Sequence, residues 1–425
     1  MQDIKIKKSE MKKVIFTAFI VCLFTNINAQ VISLQNVIDS IQTNHPIVKM
    51  YDNEIRSMDE AAKGTRSWMP PTIGVGQFMT PYNVNLWKRD GDMKGMGSAM
   101  LSIEQMIPNK KKLDAEEAYM NAMSSVEKEN KGAGINELIQ DAKLLYSEWI
   151  VLLKRLDVVA ENEKMLNFMI KNAEIRYKNG VGKIGAYYKA KAALGSTRNM
   201  QIMYENDIKE KRIRLNALMG RNPMAPFEID TIFSFNDYSD MVFDTALFNK
   251  NRSDLKSLDQ QIRLTTLKQE TERQNLKPEF GVRFENMYGF GGQPMQYTAM
   301  AMIKLPFVNW ASKMSKANIA SLKWKADALS SQKNMMINEY SGMAYGMRNE
   351  FDLKKNQLSL YREDIIPALK NNFKTMQLGY EQNTEELFML YDAWEKLNMT
   401  QLEYLDILSK AFEMQITIDR LIERK

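Results

Sequence analysis

Apolar residues recur at spacings of three and four positions in two stretches of the chain, with polar residues between them. The first stretch contains Ile135, Leu138, Ala142, Leu145, Trp149, Leu152, Leu156, Val159, Leu166, Ile170, Ala173 and Tyr177. The second contains Ile337, Tyr340, Ala344, Met347, Phe351, Leu358, Tyr361 and Ile365 in the same phase. This spacing keeps one apolar stripe facing a neighbouring helix along a left-handed supercoil. It predicts one long helix from Pro108 to a break at Gly180 and a counterpart in the second half.

The similarity between the two halves extends beyond these stripes. Asn44, Lys49, Asp52, Ile55, Arg56, Pro71, Gly74 and Val75 recur at a constant offset as Asn251, Lys256, Asp259, Ile262, Arg263, Pro278, Gly281 and Val282. The turn Tyr177-x-x-Gly180 likewise matches Tyr380-x-x-Asn383. Self-similarity on this scale indicates a tandem duplication. We therefore predict two repeats, residues 30–232 and 233–425, that are built mainly from long antiparallel coiled-coil helices.

Each repeat also contains two short segments in which polar and apolar residues alternate, at 72–79, 100–107, 280–285 and 297–305. One face is apolar, whereas the other carries Met100, Ser102, Glu104, Arg283 and Lys304. Each segment is close to the length of about nine residues that a tilted membrane strand needs, and aromatic residues flank the segments. Soluble hairpins with one wet face are the alternative. Lipid tolerates no open sheet edge, so a membrane barrel would have to be shared among copies of the chain.

The amino terminus has the pattern of an export signal. Lys12 and Lys13 precede an apolar run from Val14 to Phe24, which predicts a signal peptide over 11–29. Cys22, the only cysteine, falls inside this segment. The formal net charge of +6 is spread over interleaved acidic and basic residues, which favours solvated helix faces over nucleic-acid binding.

The chain resembles the TolC-like outer membrane efflux proteins. The order helix, strand, strand, long helix, turn, helix occurs twice, as it does in that family. The motifs that carry the resemblance are Ser33-Leu34, Asn44-His45-Pro46, Tyr177-x-x-Gly180 and Leu215-Asn-Ala-Leu-Met-Gly220. The resemblance implies a mainly α-helical homotrimer whose long helices form an α-barrel across the periplasm. Four strands per protomer would complete a trimeric twelve-stranded β-barrel in outer membrane lipid. The chain departs from the family pattern at three places. Gly132 and Gly134 are expected to weaken the first long helix, and Pro367 interrupts its counterpart. Asn383 replaces a turn glycine.

The resemblance also implies partners and sites. A periplasmic adaptor protein, itself joined to an inner-membrane pump, would pack at the two helical turns. The turn residues concerned are Arg176, Gly180, Val181, Gly182, Gly379, Tyr380 and Asn383. A gate would be formed by Asp392, which precedes Ala393, whereas the first repeat has Lys189 before Ala190. The alternatives are that the turn residues merely reverse the chain and that Asp392 is a solvated helix residue.

No catalytic or cofactor-binding motif is evident in the sequence. A P-loop, a dinucleotide fingerprint and a nucleophile elbow are missing, and one histidine without a mature cysteine cannot build a His/Cys metal site. We therefore expect a passive duct, with no enzyme activity and no cofactor. Drug efflux, type I protein secretion and a periplasmic coiled-coil scaffold without a pore remain open.

Methionine is unusually frequent, at 32 of 425 residues. Met100, Met300 and Met302 fall on the more polar strand face, which we assign to the lumen. Thioethers are soft ligands that suit Cu(I) or Ag(I), which would place the chain in a CusC-like metal-efflux branch. The alternative is that methionine fills gaps in the packing.

Overall fold

The computed structural model describes residues 31–180 and 184–424, and it is mainly α-helical. The helices, numbered in chain order, are α1 Leu34–Asn44, α2 Pro46–Lys63, α3 Lys110–Lys178, α4 Ile184–Leu218, α5 Thr245–Asn251, α6 Ser253–Gln274, α7 Asn309–Leu360, α8 Ile366–Glu381 and α9 Leu387–Leu421. The strands are β1 Val31–Ile32, β2 Thr72–Phe78, β3 Ser98–Ile107, β4 Glu228–Ile229, β5 Glu279–Gly289 and β6 Gln296–Lys304. The predicted signal peptide, 11–29, lies outside the described residues.

The first long helix is continuous, as the apolar stripe predicts. Helix α3 runs from Lys110 to Lys178 and passes through Gly132 and Gly134 without a break. A Cβ at Gly132 would lie 2.5 Å from the Ser253 Oγ, so the glycine lets the start of α6 approach α3 closely. The glycine pair therefore does not interrupt this helix, and the missing side chain of Gly132 makes room for packing. That the pair weakens the helix stays a prediction.

The counterpart helix is interrupted where Pro367 predicts it. Helix α7 ends at Leu360, a π-helical turn covers Tyr361–Ile365, and Pro367 lies at the start of α8. Proline has no amide hydrogen and its ring clashes with the preceding turn of a regular helix. The wider π-helical turn accommodates the ring, and the chain continues as a helix on both sides.

The chain packs into two compact units, each of which takes segments from both repeats. The first unit comprises the described residues of Met1–His45 together with Leu138–Ser239 and Met347–Thr417. The second comprises Pro46–Glu137, Asp240–Gly346 and Ile418–Lys425. The division into repeats at residue 232 stays a prediction about the duplication, since compact packing does not follow the repeat boundary.

The first unit buries part of both predicted stripes. Trp149 and Leu166 of α3 are buried, as are Phe351 and Leu358 of α7. Strands β1 and β4 form a parallel pair in this unit. The Tyr146 hydroxyl donates to the carbonyl oxygens of Ile32, at 3.1 Å, and of Asp230, at 2.9 Å. Burial raises the pKa of Tyr146 to about 12.

The second unit contains an antiparallel sheet in the order β2-β3-β5-β6. Its register places Val75 opposite Leu101, and Ile103 opposite Phe284. The apolar positions of all four strands therefore share one face, as the alternation predicts. That face is uncovered in the protomer, where Val75 is 82% and Ile303 59% exposed. Strands β2 and β6 are the two edges of the sheet, and neither has a second partner strand among the described residues.

A buried ion pair fastens the end of the chain to the second unit. The Arg252 guanidinium donates to Asp254 at 2.5 Å and to the Leu421 carbonyl at 2.9 Å, and it lies 3.6 Å above the Tyr340 ring. Burial opposes ionisation of Asp254, but the bonds from Arg252 and from the Tyr340 hydroxyl outweigh it and lower the pKa of Asp254.

Candidate channel, coupling and cargo sites

The turn between α8 and α9 is held by hydrogen bonds to one carbonyl. The Gly379 oxygen accepts from the Thr384 amide at 2.9 Å and from the Glu385 amide at 3.2 Å. Asn383 has a φ of 63°, in the left-handed region that asparagine tolerates better than most residues. A Cβ on Gly379 would lie 2.6 Å from the Glu385 Cγ, so a larger residue there would force the Glu385 side chain to shift. Asn383 thus performs the backbone role that the turn glycine, Gly180, with its φ of 72°, has in the first repeat.

Arg176 and Tyr380, predicted from different repeats, are in direct contact. The Arg176 guanidinium lies 3.9 Å from the centre of the Tyr380 ring and also donates to the Tyr380 carbonyl oxygen. Tyr380 is 2% exposed, and burial raises its pKa even though the neighbouring Arg176 charge acts in the opposite direction. Of the other predicted residues, Val181 and Gly182 lie outside the described residues.

Next to this pair is a groove of about 580 Å³ between α3, α4 and the second turn. Its walls include Arg176, Lys189, Glu385, Glu386 and Phe388. Phe388 is 56% exposed, and the Lys189 ammonium lies 4.5 Å from the centre of its ring. The groove thus combines an uncovered aromatic ring with charges of both signs, which is suited to a helical partner that has an apolar anchor and a polar rim.

Asp392 lies on α9 with its side chain exposed, between buried neighbours. Tyr391 is 8%, Ala393 5% and Trp394 4% exposed, so the face that packs into the protomer excludes Asp392. At the matched position of the first repeat, the Lys189 ammonium lies 4.0 Å above the Tyr391 ring. The Asp392 side chain therefore does not pack into the protomer core, as a gate residue requires. Its role as a gate stays a prediction.

A buried polar network that the sequence reasoning missed joins α3 to α9. The Trp394 indole donates to the Asn162 Oδ1 at 2.7 Å, and the Asn162 amide nitrogen donates to the Asn398 Oδ1 at 2.7 Å. Asn162 is 2% exposed. The apolar stripe of α3 is interrupted between Val159 and Leu166, where Asn162 and Glu163 lie. This interruption is the signal that could have identified Asn162.

The polar face of the sheet carries the predicted methionines at separate positions of the register. Met302 lies opposite Gly281, which in turn lies opposite Met106. Met100 lies opposite Met287, whereas Met300 lies opposite Arg283. Met100, Met300 and Met302 do share a face, as predicted, but they do not form one cluster. Met287 was missed because the alternation was followed only to residue 285, and the strand continues to Gly289.

Two further searches concern the described residues only. Within 31–180 and 184–424, no helix is long and apolar enough to cross a membrane. In the same ranges, no group of three or more histidine, cysteine, aspartate or glutamate side chains is arranged to hold a metal ion.

Comparisons with known proteins agree on the fold. Residues 37–221 match the family model for outer membrane efflux proteins. VceC of Vibrio cholerae has a TM-score of 0.72 at 14% identity, over 92% of this chain and 95% of that one. CusC has a TM-score of 0.73 at 12% identity, over 94% and 95%. CmeC of Campylobacter jejuni has a TM-score of 0.71 at 10% identity, over 92% and 85%.

No curated protein matched this chain by sequence. The family match and the shared fold confirm the resemblance to TolC-like outer membrane efflux proteins. They also confirm the predicted fold class, mainly α with a small set of strands.

Proposed function

We propose that this chain, which has the fold of the outer membrane efflux proteins and matches their family model over its first repeat, forms a homotrimeric exit duct in the outer membrane. The observation that carries the proposal is the sheet. Its apolar face is uncovered, and its outer strands, β2 and β6, each have one side without a partner strand in the part of the chain that the structure describes. Lipid suits the apolar face but not the edges, because an unsatisfied backbone group in hydrocarbon costs several kcal/mol.

Copies of the same chain satisfy both requirements. If β2 of one protomer pairs with β6 of the next, every edge is closed, and three copies with four strands each give a twelve-stranded barrel. The polar face, with Ser102, Glu104 and Arg283, then lines the lumen. The long helices α3, α4, α7, α8 and α9 would form the periplasmic α-barrel, which makes the protein a multi-pass barrel with a periplasmic extension.

The helical turns are the proposed docking points for a periplasmic adaptor, through which an inner-membrane pump supplies energy. The groove beside Arg176 and Tyr380, with the exposed Phe388 in its wall, supports this assignment. Gly180, Gly379 and Asn383 shape the two turns, and Val181 and Gly182 belong to the same proposed surface. Asp392, exposed beside the buried Ala393, is the proposed gate residue.

The cargo proposal is narrower. The methionines on the lumenal face support export of Cu(I) or Ag(I), since thioethers bind soft cations. Drug efflux and type I protein secretion use the same kind of duct, and survival assays separate them. Loss of the chain is expected to raise copper or silver sensitivity. A change confined to drug sensitivity or to a secreted protein would reject the metal proposal and leave the duct intact.

Fractionation and conductance test the duct itself. We expect heat-modifiable, trimer-sized material in the outer membrane and single-channel conductance from purified trimers in planar bilayers. Soluble periplasmic material without conductance would instead indicate a coiled-coil scaffold without a pore. Val75→Lys provides a matched test, because it places a charge on the lipid face, whereas Gly76→Lys places the same charge on the opposite face of the same strand. The account requires Val75→Lys to reduce membrane insertion more strongly.

A further inference from the structure

Two methionine side chains meet above one glycine on the polar face of the sheet. Gly281 in β5 lies between Met106 in β3 and Met302 in β6, in a single row of the sheet. The position that a Cβ of Gly281 would occupy is 2.6 Å from the Met106 Sδ and 3.2 Å from the Met302 Cε. Both thioether ends therefore reach into the space that the missing side chain leaves.

The surroundings of this methionine pair suit a cation. Glu104 lies on the same face, two residues before Met106, and brings a negative charge to the neighbouring row. The positive charge of Arg283 in that row is engaged by Glu285, at 2.6 Å. On the other side, Glu279 pairs with both Lys304, at 3.2 Å, and Lys112, at 2.7 Å. Each of these three cationic side chains thus has an anionic partner, and carboxylates balance the positive charges beside the methionine pair.

Packing alone does not account for the arrangement. Met106 and Met302 are partly exposed, so their sulfur atoms remain within reach of a solvated ion, whereas Met287 is only 6% exposed. A methionine that serves purely as a gap filler gains most when it is buried. Here two flexible thioethers from strands that are not neighbours converge over Gly281.

We propose that Met106 and Met302 form a two-thioether binding site for a soft monovalent cation, Cu(I) or Ag(I). The site rests on the proposed function, because it requires the polar face of the sheet to be the lumen. Met300 and Met100 lie farther along the same face.

Silver titration of the purified trimer tests the site. Isothermal titration with Ag(I) is expected to show a class of tight sites that the double variant Met106→Leu/Met302→Leu loses, at one per protomer. Leucine nearly conserves the side-chain volume while it removes the sulfur. Met399→Leu is the matched control, because it makes the same chemical change at a 61% exposed position of α9, and it should retain every tight site. An unchanged number of tight sites in the double variant would overturn the proposal.

A second variant tests the geometry without removing sulfur. Gly281→Ala places a methyl group where the two thioethers meet, and it should weaken Ag(I) binding although all methionines remain. Binding should also be independent of pH between about 5 and 8, since thioethers need no deprotonation, unlike histidine ligands. Equal affinity in Gly281→Ala, or a strong pH dependence, would contradict the assignment.

The outcome is separable from that of the proposed function. Each variant is first checked for trimers in the outer membrane and for conductance. Unmodified trimers that conduct but show no tight Ag(I) site would reject the cation site alone. Failure of the unmodified protein to form trimers would reject the duct instead.

Discussion

The buried hydrogen bonds of Asn162 predict how much the substitution Asn162→Leu changes the free energy of unfolding. Its Oδ1 accepts from the buried Trp394 indole at 2.7 Å, and its amide nitrogen donates to Asn398 at 2.7 Å and to the Val158 carbonyl at 2.8 Å. The change Asn162→Leu removes all three bonds and leaves the Trp394 N–H in an apolar setting. This N–H lies where α3 of the first repeat contacts α9 of the second. The hydrogen-bond network fixes the register between these two helices.

The expected cost follows from the groups that lose partners. Orphaning a buried donor costs about 1–3 kcal/mol. Asn398 is less buried, so water can replace its lost donor at little cost. The leucine side chain recovers roughly 1 kcal/mol through apolar burial. We therefore expect Asn162→Leu to lower the free energy of unfolding by about 1 kcal/mol, within a range of about 0–2 kcal/mol.

Asn172→Leu is the matched control, because Asn172 lies on the same helix and makes the same type of bond, from its amide nitrogen to the Phe168 carbonyl at 2.9 Å. It is only half buried, so the control should change stability by no more than about 0.5 kcal/mol. Urea unfolding in detergent, at one fixed protein concentration because assembly affects stability, measures both. Trp394→Phe should cost less in the Asn162→Leu background than alone, with a coupling of about 1 kcal/mol. Equal effects of the two asparagine changes, or no coupling, would refute the reasoning.

Three further predictions concern the turn, the gate and acid stability. Asn383 and Gly180 both have a positive φ, which glycine adopts without strain. Asn383→Gly should therefore raise the free energy of unfolding by up to about 1 kcal/mol, and Gly180→Ala should lower it by a similar amount. Changes of the opposite sign in urea unfolding would be inconsistent with the turn geometry. Asp392→Asn should lower cation selectivity in planar bilayers with assembly intact, since it removes three converging charges from the axis; unaltered selectivity would mean that Asp392 does not line the constriction. The folded-state pKa of Asp254 is lowered from 3.8, so Asp254 stabilises the folded protein above that pH, and this stabilisation is lost as the pH falls through the folded-state pKa. Asp254→Asn should therefore make the loss of stability below about pH 4 less steep. An equally steep loss in the variant would contradict this.

The long helices and strands could be predicted because their signals are periodic. A stripe such as Leu145, Trp149 and Leu166 repeats over many turns, so isolated exceptions do not obscure it. The alternation around Ile103 works in the same way for the strands. The duplication gave each prediction independent support, since each segment occurs twice with the same pattern of apolar and polar residues. Even the break at Pro367 was predictable, because proline has a fixed stereochemical effect.

The features that sequence reasoning missed depend on contacts between distant residues. Gly132 looked like a weak point because its packing partner, Ser253, lies in a different helix. The pairing of Met106 with Met302 requires the strand register, which no local pattern supplies. The two-residue strands β1 and β4 are too short to show alternation. The Asn162 network was hidden for a related reason, because a single polar residue on an apolar face indicates a buried bond only when its partner is known.

Disulfide crosslinking between strand edges tests the trimeric barrel most directly. The only cysteine, Cys22, lies in the predicted signal peptide, so introduced cysteines can be assigned without ambiguity. Cysteines at Ile73 or Val75 in β2 are combined with cysteines at Ala299 or Ala301 in β6. The pair Ile103→Cys/Phe284→Cys, which lies opposite within one protomer, is the control and should give no product larger than a monomer. Oxidation in the outer membrane is expected to give covalent trimers for at least one β2–β6 combination. Protein that is inserted in the membrane but stays monomeric in every combination would contradict the account.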